Sequence, residues 1–198
     1  GTAAMAGLRT RKLNIVDRAL GKGRQEVVSQ SAFAHLFSEF VQYSQARSIT
    51  ASELERRLED AGVGIGVRIL ELASLRDGKT RRETRMLGIL QYVHTTIWKA
   101  LFGKSADALE KVVENEDEFM ISEQEPLVNQ YISVPAHLPN LNCAAFAAGI
   151  IRGALESAGF PAAVQAHTVA ADAGGSRTVF LIKFAPEVLA RERSLASA

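Results

Sequence analysis

The chain holds one cysteine, Cys143, among its 198 residues. That excludes an intramolecular disulfide and any cysteine-based zinc site, and it fits a reducing compartment. A long apolar run is also missing. The most hydrophobic stretch, "CAAFAAGII", stops at Arg152, far short of the roughly 18 to 20 residues that span a bilayer as a helix. No apolar segment follows the basic residues near the N-terminus, so no secretory signal is expected. Net charge is only +1, which gives no overall field for nucleic acid or membrane. The basic clusters carry no interleaved aromatics on which bases could stack, so nucleic acid is not an expected partner.

What is present is the material of one globular domain: 47% hydrophobic and 23% charged residues, enough apolar surface for a core. Charge is unevenly spread. Arg9, Arg11, Lys12, Arg18, Lys22 and Arg24 crowd residues 8 to 24 with Asp17 as their one acid, and Arg76, Lys79, Arg81, Arg82 and Arg85 crowd residues 76 to 85. The stretch "DALEKVVENEDEFMISEQE" is acidic instead. Residues 1 to 27 read as a basic arm, residues 28 to 193 as the domain and residues 194 to 198 as a tail.

Apolar periodicity supplies the elements. "SAFAHLFSEFVQYSQ" sets Phe33, Leu36, Phe37, Phe40 and Val41 three and four apart, an amphipathic helix with an aromatic stripe. "TASE" opens a second helix, with Thr50 as cap and Glu53 reaching back. Its stripe of Leu54, Leu58, Ala61, Ile65, Ile69 and Leu72 runs to Asp77-Gly78. A third helix covers residues 83 to 102 and stops at Gly103, and "ADALEKVVE" reads as a short fourth. "DEFMISEQ" and "VNQYISVP" alternate like strands. "NCAAFAAGIIRGALESAG" is a helix rich in small residues. "AAVQAHTVA" and "TVFLIKF" are strands joined across "DAGGS", and Pro186 opens a last helix. The order ααααββαββα predicts an α+β fold, a helical layer packed on a four-stranded antiparallel sheet.

Candidate chemistry is thin. Gly62, Gly64 and Gly66 tempt a phosphate-loop reading, but helical residues precede them and Val67-Arg68 stand where Lys-Ser/Thr is required. The third glycine also comes one residue early for a dinucleotide fingerprint. In a helix, Gly62 and Gly66 share a face and let a neighbouring backbone approach, at a cost of roughly 1 kcal/mol each relative to alanine. His35, His94, His137 and His167 are scattered, with no motif placing one beside Cys143, and no pair has metal-site spacing. Glu114, Glu116, Asp117 and Glu118 sit in a polar connector. No catalytic residue, cofactor or metal is expected. Two helices with broad apolar faces suggest a surface for a partner.

"SAFAHLFSEFVQYSQ", "GVGIGVRILEL", "RRET", "IWKALFGKSADALEK", "EPLVNQYISVP" and "LNCAAFAAGIIRGALESAGFPA" resemble the small subunits of the transport protein particle, TRAPP, in unbroken order over residues 28 to 190. The resemblance implies a non-catalytic scaffold subunit of a vesicle-tethering complex. That assembly acts as a guanine-nucleotide exchange factor for a Rab GTPase, peripheral to early secretory and Golgi membranes in the cytoplasm. It implies pairing with the central acyl-carrying subunit, with subunit 2 as a neighbour, through the first two helices: Phe33, Phe37, Phe40, Leu54, Leu58, Gly62 and Gly66. Arg9, Arg11, Lys12, Arg81 and Arg82 are then candidates for contact with an anionic membrane. The central subunit carries its acyl chain on a cysteine just before the segment similar to "RRET". Here "RDGKTRRET" has none, so acylation there does not carry over. A lipid-binding module, or a small enzyme using Cys143, is the alternative.

Overall fold

The computed structural model describes residues 28–77, 82–134, 138, 141–170 and 175–196. Helix α1 spans Gln30–Gln45 and α2 spans Ala51–Asp77. Thr50 caps α2 by accepting the Glu53 N–H at 3.2 Å, and the Glu53 carboxylate reaches back to the Ile49 N–H at 3.0 Å. That backbone contact, with Arg57 beside it, holds the Glu53 carboxyl below its ordinary range. The capping box therefore closes one residue earlier than its usual form.

The third helix is one rod in three parts: α3 (Met86–Tyr92), a π-helical stretch (Val93–Ile97) and α4 (Trp98–Phe102). The π stretch takes up extra chain and resets the helical phase. Trp98 beyond it is buried, donates Nε1–H to the Glu123 carboxylate at 3.1 Å, and meets the Phe180 ring edge-on at 5.4 Å. Lys104 forms the ion pair that neutralises buried Glu123. Gly103, at φ 80°, ends the rod in a left-handed conformation that glycine adopts without steric cost.

Strands β1 (Ala108–Lys111), β2 (Glu118–Glu123), β3 (Ala162–Ala170) and β4 (Ser176–Phe184) form one antiparallel sheet in the order β1-β2-β4-β3. The expected layered α+β architecture is present, with two local corrections. "ADALEKVVE" is not a helix but contains β1. Its helix-forming residues are overridden by pairing of Ala108 to Lys111 with Ser122 to Phe119, because four residues gain little from a helix that must first be nucleated. The described residues of "VNQYISVP", 128–134, form no strand. Pro126 starts a single helical turn, α5 (Leu127–Gln130), which buries Val128. In β4, Phe180, Ile182 and Phe184 are buried while Lys183 is exposed, as alternation requires.

Helix α6 (Ala145–Ser157) lies between β3 and α2. Nine of its thirteen residues are buried, so it is apolar on nearly every side, the mark of a central helix. Its contact with α2 answers the glycine question. A Cβ at Gly62 would collide with the Phe146 carbonyl oxygen and come within 2.9 Å of the Ile150 nitrogen; one at Gly66 would strike the Ile150 carbonyl oxygen. The relation is reciprocal, since Gly149 faces the Glu59 carbonyl and Gly153 the Val63 carbonyl. Two glycines four apart on each helix bring the two main chains together. Arg152 then ties α6 to Glu59 and, at 3.5 Å, to Asp60 of α2. Burial pushes the Glu59 carboxyl above its ordinary range, against the opposing pull of Arg152. Helix α7 (Pro186–Ala196) closes the domain by burying Val188.

Candidate partner interface

Helix α1 has two faces. Inward, Phe37 and Val41 are buried, and Phe37 sits within an aromatic cluster with Phe33 (5.7 Å), Phe40 (6.4 Å) and Phe146 of α6 (5.1 Å between ring centroids). Outward, Leu36 is 71% exposed and Tyr43 58% exposed. Leu36, Phe40, Tyr43 and Arg47 are spaced four, three and four apart, so they form one row along the helix. The Arg47 guanidinium lies 3.6 Å from the centroid of the Tyr43 ring and donates to the Tyr43 carbonyl at 3.2 Å. Stacking of this kind fixes an otherwise mobile ring. Phe40 is half-buried, its ring also against Phe37 and Phe146, and half-buried Phe33 borders the row.

Helix α2 carries a second outward row in Ala61, Ile65, Arg68, Leu72 and Leu75. Ile65 and Leu72 are half-buried and Leu75 is 59% exposed. Exposed apolar side chains in register on a helix mark a surface that a second protein can cover.

Of the residues expected to meet a partner, Phe33 and Phe40 border the outer face of α1. Phe37, Leu54, Leu58, Gly62 and Gly66 are buried inside the chain. Their apolar surface is consumed at home, because α6 needs cover on the side away from the sheet. Leu36 and Tyr43 take their place on the outer face. Leu36 stands in the periodic stripe, but periodicity alone does not distinguish the half of a wide stripe that reaches the core from the half that stays outside.

Arg9, Arg11, Lys12 and Arg81 lie outside the described residues. Arg82 is exposed and donates to the Ala158 carbonyl at 2.7 Å, at the C-terminal end of α6.

Cys143 precedes α6 and is buried. Burial, aided by the Glu55 charge, pushes its thiol up to about 11, the wrong direction for a nucleophile, which needs its thiolate at neutral pH. At pH 8, thiol reagents are expected to label the folded chain at least about 100-fold more slowly than the urea-unfolded chain, in line with the smaller thiolate fraction. Equal rates would show an accessible, activated cysteine. Among the described residues no group of three or more His, Cys, Asp or Glu side chains could hold a metal ion.

Known proteins were compared with this chain and this fold. Residues 33–185 match the family model described as transport protein particle (TRAPP) component. The chain is similar to trafficking protein particle complex subunit 5 of Dictyostelium discoideum, with 56% identity covering 90% of this chain and 96% of that one. It is 46% identical to subunit 5 of Homo sapiens, covering 93% and 94%. Subunit 31 of the complex from Saccharomyces cerevisiae is 30% identical, covering 85% and 80%. Among solved structures, subunit 3 from Naegleria fowleri, covalently bound to palmitic acid, superposes with a TM-score of 0.67 at 15% identity, covering 79% of this chain and 95% of that one. That likeness is one of fold. With the family model spanning most of the domain and relatives aligned almost end to end, the chain belongs to the TRAPP component family, as a subunit of a trafficking particle complex.

Proposed function

We propose that this chain is a scaffold subunit of a vesicle-tethering complex, and that the assembly, not this chain alone, acts as a guanine-nucleotide exchange factor for a Rab GTPase in ER-to-Golgi and Golgi traffic. The observation that carries the reading is the pair of exposed side chains Leu36 and Tyr43 on α1, flanked by half-buried Phe33 and Phe40: an apolar face left over after the core has been covered. In this reading the α1 row pairs with the central acyl-carrying small subunit, and subunit 2 is a further neighbour. The sole cysteine is buried at the start of α6, so this chain supplies contact surface and not an acyl anchor.

Size-exclusion chromatography with light scattering tests the pairing, on the chain alone and mixed with the central subunit from the same source. A stable one-to-one complex is expected. A monomer that ignores its partner at micromolar concentration would overturn the reading.

The same proposal places the assembly on the cytoplasmic side of early secretory and Golgi membranes, as a peripheral complex. No helix among the described residues is long and apolar enough to cross a bilayer. Attraction to anionic lipid falls to the basic segments, at about 1 kcal/mol per cation near the surface. Replacing Arg9, Arg11 and Lys12 together with glutamine is expected to reduce recruitment of the assembled complex to phosphatidylserine liposomes at low salt. Unchanged recruitment would remove the arm from the proposal.

A further inference from the structure

Helix α1 carries one acid and one base on the face that the core leaves uncovered. Glu39 and Arg47 stand four residues before and four residues after Tyr43, so all three lie toward one side of the helix. Both charged residues are exposed. Arg47 follows the helical path just past the end of α1, its N–H donating to the Ser44 carbonyl at 3.1 Å. Its guanidinium is held over the Tyr43 ring, with one contact to the Tyr43 carbonyl. The other N–H groups of the fork remain available to a carboxylate. Among the described residues neither Glu39 nor Arg47 enters an ion pair.

This layout is symmetric under reversal. A second copy of α1, laid antiparallel with a two-fold axis at Tyr43, sets each Glu39 opposite the Arg47 of the other copy. Each Leu36 then lies beside the other copy's turn at Ile49, which is 95% exposed. An isologous contact repeats every favourable pair twice. A parallel arrangement would set Glu39 against Glu39 and Arg47 against Arg47, and like charges across an interface are penalised. An anionic membrane is a poorer occupant, because Glu39 would face it together with Arg47.

We propose that this chain, before it meets the central subunit, covers its α1 row with a second copy of itself, in an antiparallel dimer centred on Tyr43. The inference rests on the reading of that row as the partner surface and adds a regulation of it. Unassembled chains shield Leu36 and Tyr43 in one another, and assembly becomes an exchange of one companion for another. A contact along one 16-residue helix is small beside the roughly 1,200 to 2,000 Å² buried by stable complexes. The self-pair is therefore weak enough to be displaced.

Sedimentation equilibrium of the intact chain at low salt is the test. The mean mass is expected to rise from one chain at about 1 micromolar toward two at about 300 micromolar, the range of a small interface. Glu39→Arg and Arg47→Glu each place like charges opposite one another twice, and each is expected to weaken self-association about tenfold or more. Mixed in equal amounts, the two variants recreate both opposite-charge pairs. The mixture is expected to associate within about threefold of the parent. That recovery shows that both variants are folded, and it distinguishes this register from any other self-contact. The proposal is overturned if the parent stays a single chain throughout, if either variant associates as the parent does, or if the two fail to recover on mixing. These outcomes leave the pairing with the central subunit untouched, since that is read from the one-to-one complex by light scattering. A self-pair that persists while no such complex forms would count against the reading of the row as a partner surface.

Discussion

Gly62→Ala is expected to lower the melting temperature of the isolated chain by roughly 6 to 12 °C, at about 2 to 4 °C for each kcal/mol in a domain of this size. The new methyl would meet the Phe146 carbonyl oxygen and the Ile150 nitrogen. Both are main-chain atoms inside a helix, so neither can rotate away. Overpacking typically costs 1 to 3 kcal/mol where side chains can adjust, and about 3 kcal/mol or more is expected where they cannot. Gly149→Ala, aimed at the Glu59 carbonyl from the other helix, should cost as much. The control is two residues away. A Cβ at Gly64 would come within 3.3 Å of only the flexible Arg68 guanidinium, so Gly64→Ala should gain up to about 1 kcal/mol from helix propensity. Thermal unfolding followed by circular dichroism separates the cases. If Gly62→Ala and Gly64→Ala behaved alike, the close approach of α2 and α6 would be refuted.

Leu36→Glu is expected to abolish the complex with the central subunit at micromolar concentration while leaving the fold intact. At 71% exposure the side chain contributes little to the isolated chain, and surface changes of this kind stay within about 0.5 kcal/mol. A carboxylate at the centre of a desolvated apolar face loses the leucine contact and gains a charge without a partner. A loss of about 3 kcal/mol or more is reasonable for such an anchor, a weakening of roughly 100-fold or more. Phe37→Glu supplies the contrast one residue along. Phe37 is buried among Phe33, Phe40 and Phe146, so a charge there should unfold the chain and lose the partner for that reason. Retained binding by a folded Leu36→Glu protein would place the interface elsewhere.

The layered α+β fold was legible because its longest elements carry unambiguous periods: the α1 stripe, the capping box at Thr50 and Glu53, and the alternation from Phe180 to Phe184. The two short segments misled for different reasons. Ala108 to Lys111 are helix-forming residues recruited into a strand by β2, the next strand in the chain. Residues 128 to 134 alternate, yet Pro126 sets a helical turn that takes in the first three of them. The glycine helix was legible as a packing device, but the identity of its neighbour was not. Gly62 and Gly66 need a second glycine pair to oppose them, and Gly149 and Gly153 lie more than 80 residues later. The likeness to paired subunits pointed outward, while the geometry turns the glycines inward.

The α2–α6 contact is made of main chain, and that separates two kinds of inheritance within a single helix. One side of α2 is held to glycine by the carbonyls of α6, so drift there is penalised in every cell that must fold the protein. The other side, from Ala61 and Ile65 to Arg68, Leu72 and Leu75, meets no main chain of α6 and bears less of that load. Its exposed residues, Ala61, Arg68 and Leu75, can be exchanged without moving the helix, and a gene duplicate of such a chain can acquire a new companion while its interior stays unchanged.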